Sequence, residues 1–256
     1  MAKGTPMKRF LLGLLTMFGS YLAGHPAIAG DHCRRVAHLG HHYIVCSFDP
    51  AAEELRLYHA DASGKPYGSF QAMLDDIEPG GTNILFAMNA GMYHADLSAV
   101  GLYVEGGVEQ QQISTGRGWG NFHLLPNGVF YLAMGKAGVV ETRAYLDAGI
   151  KPRFATQSGP MLVIDGKIHP RFLPHSDSLN VRNGVGVDAN GIVHAVISED
   201  PIRFYDFALL FRDVLGCDNA LFLDGSISSL YAPEINRHDR LFPVGPIFAV
   251  VAPVAK

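Results

Sequence analysis

The dipeptide Asp165-Gly166, set between Pro160-Met-Leu-Val-Ile and Lys-Ile-His, constrains the folding of this chain more than any other feature. Asp-Gly suits the two positive-φ positions of a type I′ turn, whose twist matches that of the strands it joins. The flanking runs are therefore expected to pair antiparallel. By the same argument Gly184-Val-Gly-Val-Asp and Ile192-Val-His-Ala-Val-Ile form a hairpin across Ala189-Asn-Gly191. A third is expected between Phe122-His-Leu-Leu and Val129-Phe-Tyr-Leu-Ala, across Pro126-Asn-Gly128.

Helical spacing appears twice. Phe70, Met73, Leu74 and Ile77 recur three and four residues apart and stop at Pro79-Gly80. Phe204, Phe207, Ala208, Phe211, Val214 and Leu215 do the same and stop at Gly216, a natural residue to end a helix. Asn219-Ala-Leu-Phe-Leu then reads as a buried strand that delivers Asp224 to its exposed end. The expected class is α+β, one domain with a mixed, largely antiparallel sheet built from hairpins and a few packed helices.

The N-terminus carries Lys3, Lys8 and Arg9, an apolar stretch from Phe10 to Ala23 and a small-residue site at Ala27-Ile-Ala29. That pattern is a secretory signal peptide, and the apolar stretch falls short of the roughly 20 residues a bilayer span needs. Residues 1–29 are expected to be removed, leaving residues 30–256 as one domain in the periplasm or outside the cell. Loss of three cationic side chains takes the formal charge from -4 to -7. A mildly acidic surface argues against nucleic acid or anionic lipid as a partner, and no stable membrane insertion is expected after cleavage. In an oxidising compartment Cys33 and Cys46, both near the new N-terminus, are the expected pair for a disulfide, with Cys217 left as a small buried apolar residue.

There is no phosphate-binding GxxxxGK and no strand-linked GxGxxG, so chemistry without a nucleotide cofactor is expected. Four polar clusters interrupt apolar strands: Asn89-Ala90-Gly91-Met92-Tyr93, Gln157-Ser158-Gly159-Pro160, Arg182-Asn183-Gly184 and Asp224-Gly225-Ser226-Ile227-Ser228-Ser229. In this order they resemble the motifs of the phosphodiester glycosidase family, in particular a bacterial branch of it. Asn89 to Tyr93 is similar to the family's Asn-Gly-Gly-Phe-Phe, and Ser158-Gly159-Pro160 with Asp165-Gly166 to its Gly-Pro hairpin segment. Arg182-Asn-Gly-Val-Gly186 resembles Arg-Thr-Ala-Ile-Gly, and Leu223-Asp224-Gly225 with Ser228 resembles Leu-Asp-Gly-Gly-Gly-Ser. Glu199-Asp200 falls where the family carries an acidic residue after a strand. The resemblance runs from about Asn83 to the C-terminus. Ser226-Ile227 stand where the family has two glycines, and Ala90 where it has another, so these loops cannot approach a ligand in the same way.

The resemblance implies cleavage of the C–O bond at an anomeric carbon, with a phosphomonoester as leaving group. Asp224 is then the expected nucleophile or base, with Glu199 or Asp200 as a second carboxylate. Arg182 is the expected phosphate clamp, because a guanidinium presents forked donors to phosphate oxygens. Asn89, Gly91, Tyr93, Ser158, Gly159, Gly225 and Ser228 would line the substrate. No resident metal or cofactor is expected; a divalent cation held with the sugar phosphate would fall to Asp224, Asp200 and Glu199. Two other readings stay open. One is a hydrolase using Ser228 or Ser226 with one of the twelve histidines, and the other is a noncatalytic envelope glycan-binding module using Trp119, Tyr93 and Tyr103 as sugar platforms.

Overall fold

A computed structural model of the chain describes Met1, residues 32–224 and residues 228–254. The expected signal peptide, residues 1–29, lies outside the described residues apart from Met1, as do Gly225 and Ser226. Strands, numbered in chain order, form three sheets in which every described pairing is antiparallel. The first runs edge to edge through β1 (Cys33–His38), β2 (His41–Phe48), β13 (Val193–Ser198), β12 (Asn183–Val187), β14 (Asn219–Asp224), β10 (Met161–Ile164) and β11 (Lys167–Ile168). A second runs through β16 (Arg237–His238), β15 (Leu230–Ala232), β4 (Thr82–Asn89), β17 (Ile247–Pro253) and β3 (Glu54–Tyr58). The third runs through β6 (Val108–Gln111), β5 (Tyr103–Glu105), β9 (Phe154–Ser158), β7 (Gly128–Ala133) and β8 (Lys136–Glu141).

Side-chain alternation assigns each sheet an inner and an outer face. Ile44, Cys46 and Phe48 of β2, Leu221 and Leu223 of β14, Phe248 and Val250 of β17, and Phe130 and Leu132 of β7 meet in one shared core. The alternate residues face outward, and a helix covers them. Helix α1 (Phe70–Ile77) buries Phe70, Met73 and Leu74 against Ala87 and Ala249. Its first turn is capped by Ser69, whose hydroxyl accepts from Ala72 N at 3.1 Å. Helix α2 (Thr142–Ala148) sets Tyr145 against Val129 and Ala155. Helix α3 (Phe204–Leu209) continues as a π turn over Leu210–Val214 and packs Phe207 and Phe211 on Tyr43, Val45 and Phe222. Each large side chain buried in this way contributes about 1.5–3 kcal/mol.

The α+β class holds, with 43% strand and 16% helix, and the strands are divided among three sheets. The Asp165-Gly166 turn has φ of 46° and 73°, and β12 joins β13 as expected. The third hairpin does not form. Asn121–His123 is a 3-10 turn, and β7 instead pairs with β8 through Met134-Gly135, both at positive φ. Helix α3 ends at Gly216 with φ 65°, as its sequence requires. No helix among the described residues is long and apolar enough to cross a membrane.

Cys33 and Cys46 are bonded, and they face each other in the β1–β2 ladder. Cys217 is free and buried, and burial pushes its thiol up to about 12. Closing a loop of this size stabilises by about 3 kcal/mol in the chain-entropy account. The double variant Cys33→Ala/Cys46→Ala is expected to melt some 6–12 °C lower by calorimetry. An unchanged melting temperature on reduction and on mutation would mean that the bond adds nothing to stability.

Candidate active site

The ends of strands from all three sheets meet at one polar node. Asn89 ends β4, Ser158 ends β9, Asn183 opens β12 and Asp224 ends β14. Asn89, Ser158 and Asn183 are fully buried. Asn89 Oδ1 accepts from Asn183 Nδ2 at 2.8 Å and from Ser229 N at 2.9 Å, which fixes the orientation of its amide. Asn183 Oδ1 in turn accepts from Asp224 N at 2.8 Å. Ser158 Oγ donates to Leu223 O at 2.8 Å, and Ser228 Oγ donates to Asp224 O at 2.9 Å. These bonds hold the backbone around Asp224 in one arrangement, while Asn89 Nδ2 is buried without a hydrogen-bond partner among the described residues.

A register shift then aims the carboxylate. Asn183 faces Asp224 while Gly184 already faces Phe222, so Leu223 and Asp224 bulge from the ladder. Bulges of this kind re-aim a side chain at a strand end. The Asp224 side chain, 9% exposed, reaches a cleft of about 550 Å³. One wall is the loop carrying Met92, Tyr93, His94 and Val100, and the other is Trp119 to His123. Tyr93 Oη donates to Pro243 O at 2.6 Å, and its hydroxyl is pushed up to about 12, first by burial and then by the charge on Asp224. The phenol therefore stays protonated beside the carboxylate.

Two glycines of the quoted motifs are there for space. Gly91 has φ 155°, and a Cβ on it would meet Thr156 Oγ1 at 2.9 Å. That contact matters because Thr156 Oγ1 donates to Ala90 O at 2.9 Å and straps the Asn-Ala-Gly turn to β9. A Cβ on Gly159 would meet Asn127 Cβ at 2.6 Å.

Among the expected site residues, Asn89, Gly91, Ser158, Ser228 and Asp224 converge here, and Tyr93 joins them from the cleft wall. Gly225 lies outside the described residues. Arg182 does not reach the cleft. It is 1% exposed, its guanidinium lies 3.6 Å from the centre of the Phe204 ring, Nε donates to Ile202 O at 2.9 Å and Nη2 to Ser178 O at 3.0 Å. Burial alone pushes its pKa down to about 10. Nor do the other carboxylates reach it. Glu199 pairs with Arg35 at 3.4 Å, and Asp200 accepts from His42 N at 2.7 Å and His42 Nδ1 at 3.0 Å. The His42 backbone N–H, followed by its side chain, holds the Asp200 carboxyl below its usual range. Asp224 is the one carboxylate among the residues that line the cleft, and Asp224, Asp200 and Glu199 do not gather into a ligand group among the described residues.

The Ser228 hydroxyl faces backbone carbonyls and not an imidazole, which leaves it without a base, and Ser226 lies outside the described residues. Of the expected sugar platforms Trp119 is 98% exposed and lines the cleft, whereas Tyr103 is 1% exposed and lies elsewhere. Reading the sequence missed Asn183, His94 and His123. Asn183 sits inside a quoted motif and was overshadowed by its charged neighbour; the two histidines stand in loops with no telling spacing.

The sequence pattern of the phosphodiester glycosidase family matches residues 82–251, well over half of the chain. An uncharacterized protein of Escherichia coli (strain K12), YigE, is 38% identical over 183 residues, 72% of this chain and 71% of its own length. The crystal structure of a hypothetical protein from Synechocystis superposes with a TM-score of 0.54 at 16% identity over 86% of this chain; this chain spans 61% of that one. The catalytic domain of zebrafish N-acetylglucosamine-1-phosphodiester alpha-N-acetylglucosaminidase, auto-inhibited by its pro-peptide, superposes with a TM-score of 0.55 at 12% identity, covering 85% of this chain and 81% of that one. At these identities the structural matches speak for the fold.

Proposed function

Because the chain belongs to the phosphodiester glycosidase family, we propose that it is an exported hydrolase that cleaves the glycosidic C–O bond of a sugar-1-phosphodiester, releasing sugar and a phosphomonoester. The observation that carries this reading is Asp224, set by a bulge at the end of β14 as the one carboxylate lining an aromatic cleft. Cleavage at an anomeric carbon passes through a centre of oxocarbenium character, which a fixed carboxylate stabilises. A phosphate leaves as a stable anion, so the reaction depends less on a second, acidic carboxyl than hydrolysis of an ordinary glycoside does. That suits a cleft with one carboxylate in its lining. Trp119, Tyr93 and Phe122 offer apolar faces for the sugar ring. The Asn89–Asn183–Ser229 network keeps the Asp224 backbone from shifting as charge develops.

Export is supported by the N-terminal pattern and by the Cys33–Cys46 bond, which suits an oxidising compartment. The reading places the product of residues 30–256 in the periplasm or the medium.

Residues 30–256, purified and screened against a panel of sugar-1-phosphodiesters, are expected to release free sugar and phosphomonoester in equal amounts from at least one. A parallel arm with chelator tests whether a divalent cation takes part. Saturable sugar binding with no turnover of any member of the panel would sink the enzyme reading and leave a glycan-binding module.

A further inference from the structure

We propose that His94 and His123, which line the same cleft from its two walls, form the phosphate-recognising pair of this site. The inference rests on the proposed phosphodiester substrate and gives its anionic end a partner. Arg182 cannot fill that place, because its Nε and Nη2 are engaged by Ile202 O and Ser178 O behind the sheet. Among the residues lining the cleft, His94 and His123 are the two whose side chains can carry positive charge. They share it with Asp224, so a substrate held with its sugar carbon at the carboxylate places its phosphate toward the imidazoles.

Each ring is held differently. His94 belongs to a tight turn in which its N–H donates to Ser98 O at 2.8 Å and Leu97 N donates back to its carbonyl. Its ring is set on the exposed side of the wall. His123 ends a 3-10 turn, lies edge-on to Phe122 with centroids 5.0 Å apart, and has Nδ1 3.3 Å from Gly116 O. That contact makes Nδ1 the donor. The strap Gly116-Arg-Gly-Trp-Gly120 passes so close that a Cβ on Gly118 would lie 2.6 Å from the imidazole. Gly118 thus leaves room for the His123 ring, and the same strap carries Trp119, which lines the cleft.

The chemistry gives the pair its task. As the C–O bond breaks, the bridging oxygen leaves with the bonding electron pair, and the phosphate passes from one negative charge to two. Water supplies hydroxide to the sugar carbon, and its remaining proton goes to solvent or to the released phosphate. An imidazolium beside that oxygen meets the charge as it forms. Imidazole is cationic only on the acid side of its titration. The charged and titratable groups around the pair are Tyr93 and Asp96 on the His94 wall, Asp224 in the cleft and Arg117 in the strap.

The test compares wild type with His94→Asn, His123→Asn, the double variant and Gly118→Ala, on a sugar-1-phosphodiester and on the neutral aryl glycoside of the same sugar. The double variant is expected to lose about 100-fold or more in kcat/KM on the phosphodiester, and at least about 10-fold less than that on the aryl glycoside. Gly118→Ala should reproduce the His123→Asn loss, since it displaces the ring without removing it. Histidine ring resonances titrated with inorganic phosphate give a readout independent of turnover: those of His94 and His123 should shift. Equal losses on both substrates, or no shift of either ring with phosphate, would overturn the pairing. Ring shifts with phosphate in a protein that cleaves no phosphodiester would keep the anion site and remove the proposed reaction.

Discussion

Asp224→Asn is expected to lower turnover of the best phosphodiester by about 10³-fold or more while the protein folds as before. The backbone of this residue is what the polar node holds: its N–H donates to Asn183 Oδ1 and its carbonyl accepts from Ser228 Oγ. Asparagine keeps both and nearly the same side-chain volume. What it lacks is the negative charge that an oxocarbenium-like centre requires. Melting should therefore move by no more than about 2 °C, in line with a substitution that leaves packing intact. A second readout sits on Tyr93. Its hydroxyl is held up to about 12 by burial first and by the Asp224 charge second, so removing the charge should let it ionise at lower pH without returning it fully to normal. Ring-labelled tyrosine followed by NMR through alkaline pH would show this. Near-normal turnover in the variant would reduce Asp224 to a turn residue, since asparagine is equally at home in such turns.

Local rules made the pairing partners of β10, β12 and β13 legible, because Asp165-Gly166 and Asn190-Gly191 leave the chain little choice of connection. The helices were legible where apolar spacing ran on for two turns, as in α1 and α3. Helix α2 was not, because Thr142 and Tyr145 are its only buried residues and give no period. The third hairpin failed for a comparable reason. Pro126-Asn-Gly128 looks like a turn between strands, but the segment before it coils into the 3-10 turn that carries His123. The grouping of three sheets could not be read from turns at all, since it depends on which outward faces the helices cover.

The site was legible as a set of segments and less so residue by residue. Neighbouring residues on a strand point to opposite faces, so a one-residue choice selects the wrong side of the sheet. In Arg182-Asn183 the charge drew attention to Arg182, but Asn183 faces the node and Arg182 faces α3. At Asp224 the same alternation would place the carboxylate with Phe222 on the helix side, and only the bulge opposite Asn183 and Gly184 redirects it. No sequence rule available here predicts that bulge. The resemblance puts an acidic residue after this strand, yet the β1–β2 hairpin, reached through β13 pairing with β2, brings Arg35 and His42 to Glu199 and Asp200 first.

Arg182→Ala is expected to act on the fold, and not on phosphate selectivity. The guanidinium is clamped by Ile202 O and Ser178 O, stacks on Phe204 and lies 5.7 Å from the centre of the Phe222 ring, while the Arg182 backbone N–H donates to Ser198 Oγ. Truncation would leave two carbonyls without these donors and a cavity under α3. Losses of that combined kind cost about 3–5 kcal/mol, which in a domain of this size lowers melting by roughly 6–20 °C. Burying a cation is itself unfavourable, as the downward shift to about 10 indicates. Arg182→Met, which keeps an apolar stem against Phe204 and removes the charge, should therefore recover a good part of the loss. Among molecules still folded, activity on the phosphodiester and on the neutral aryl glycoside should fall together. A variant that melts like wild type yet loses only the phosphodiester would restore Arg182 as the clamp, and would require that its guanidinium leave Phe204 and reach the cleft when substrate binds.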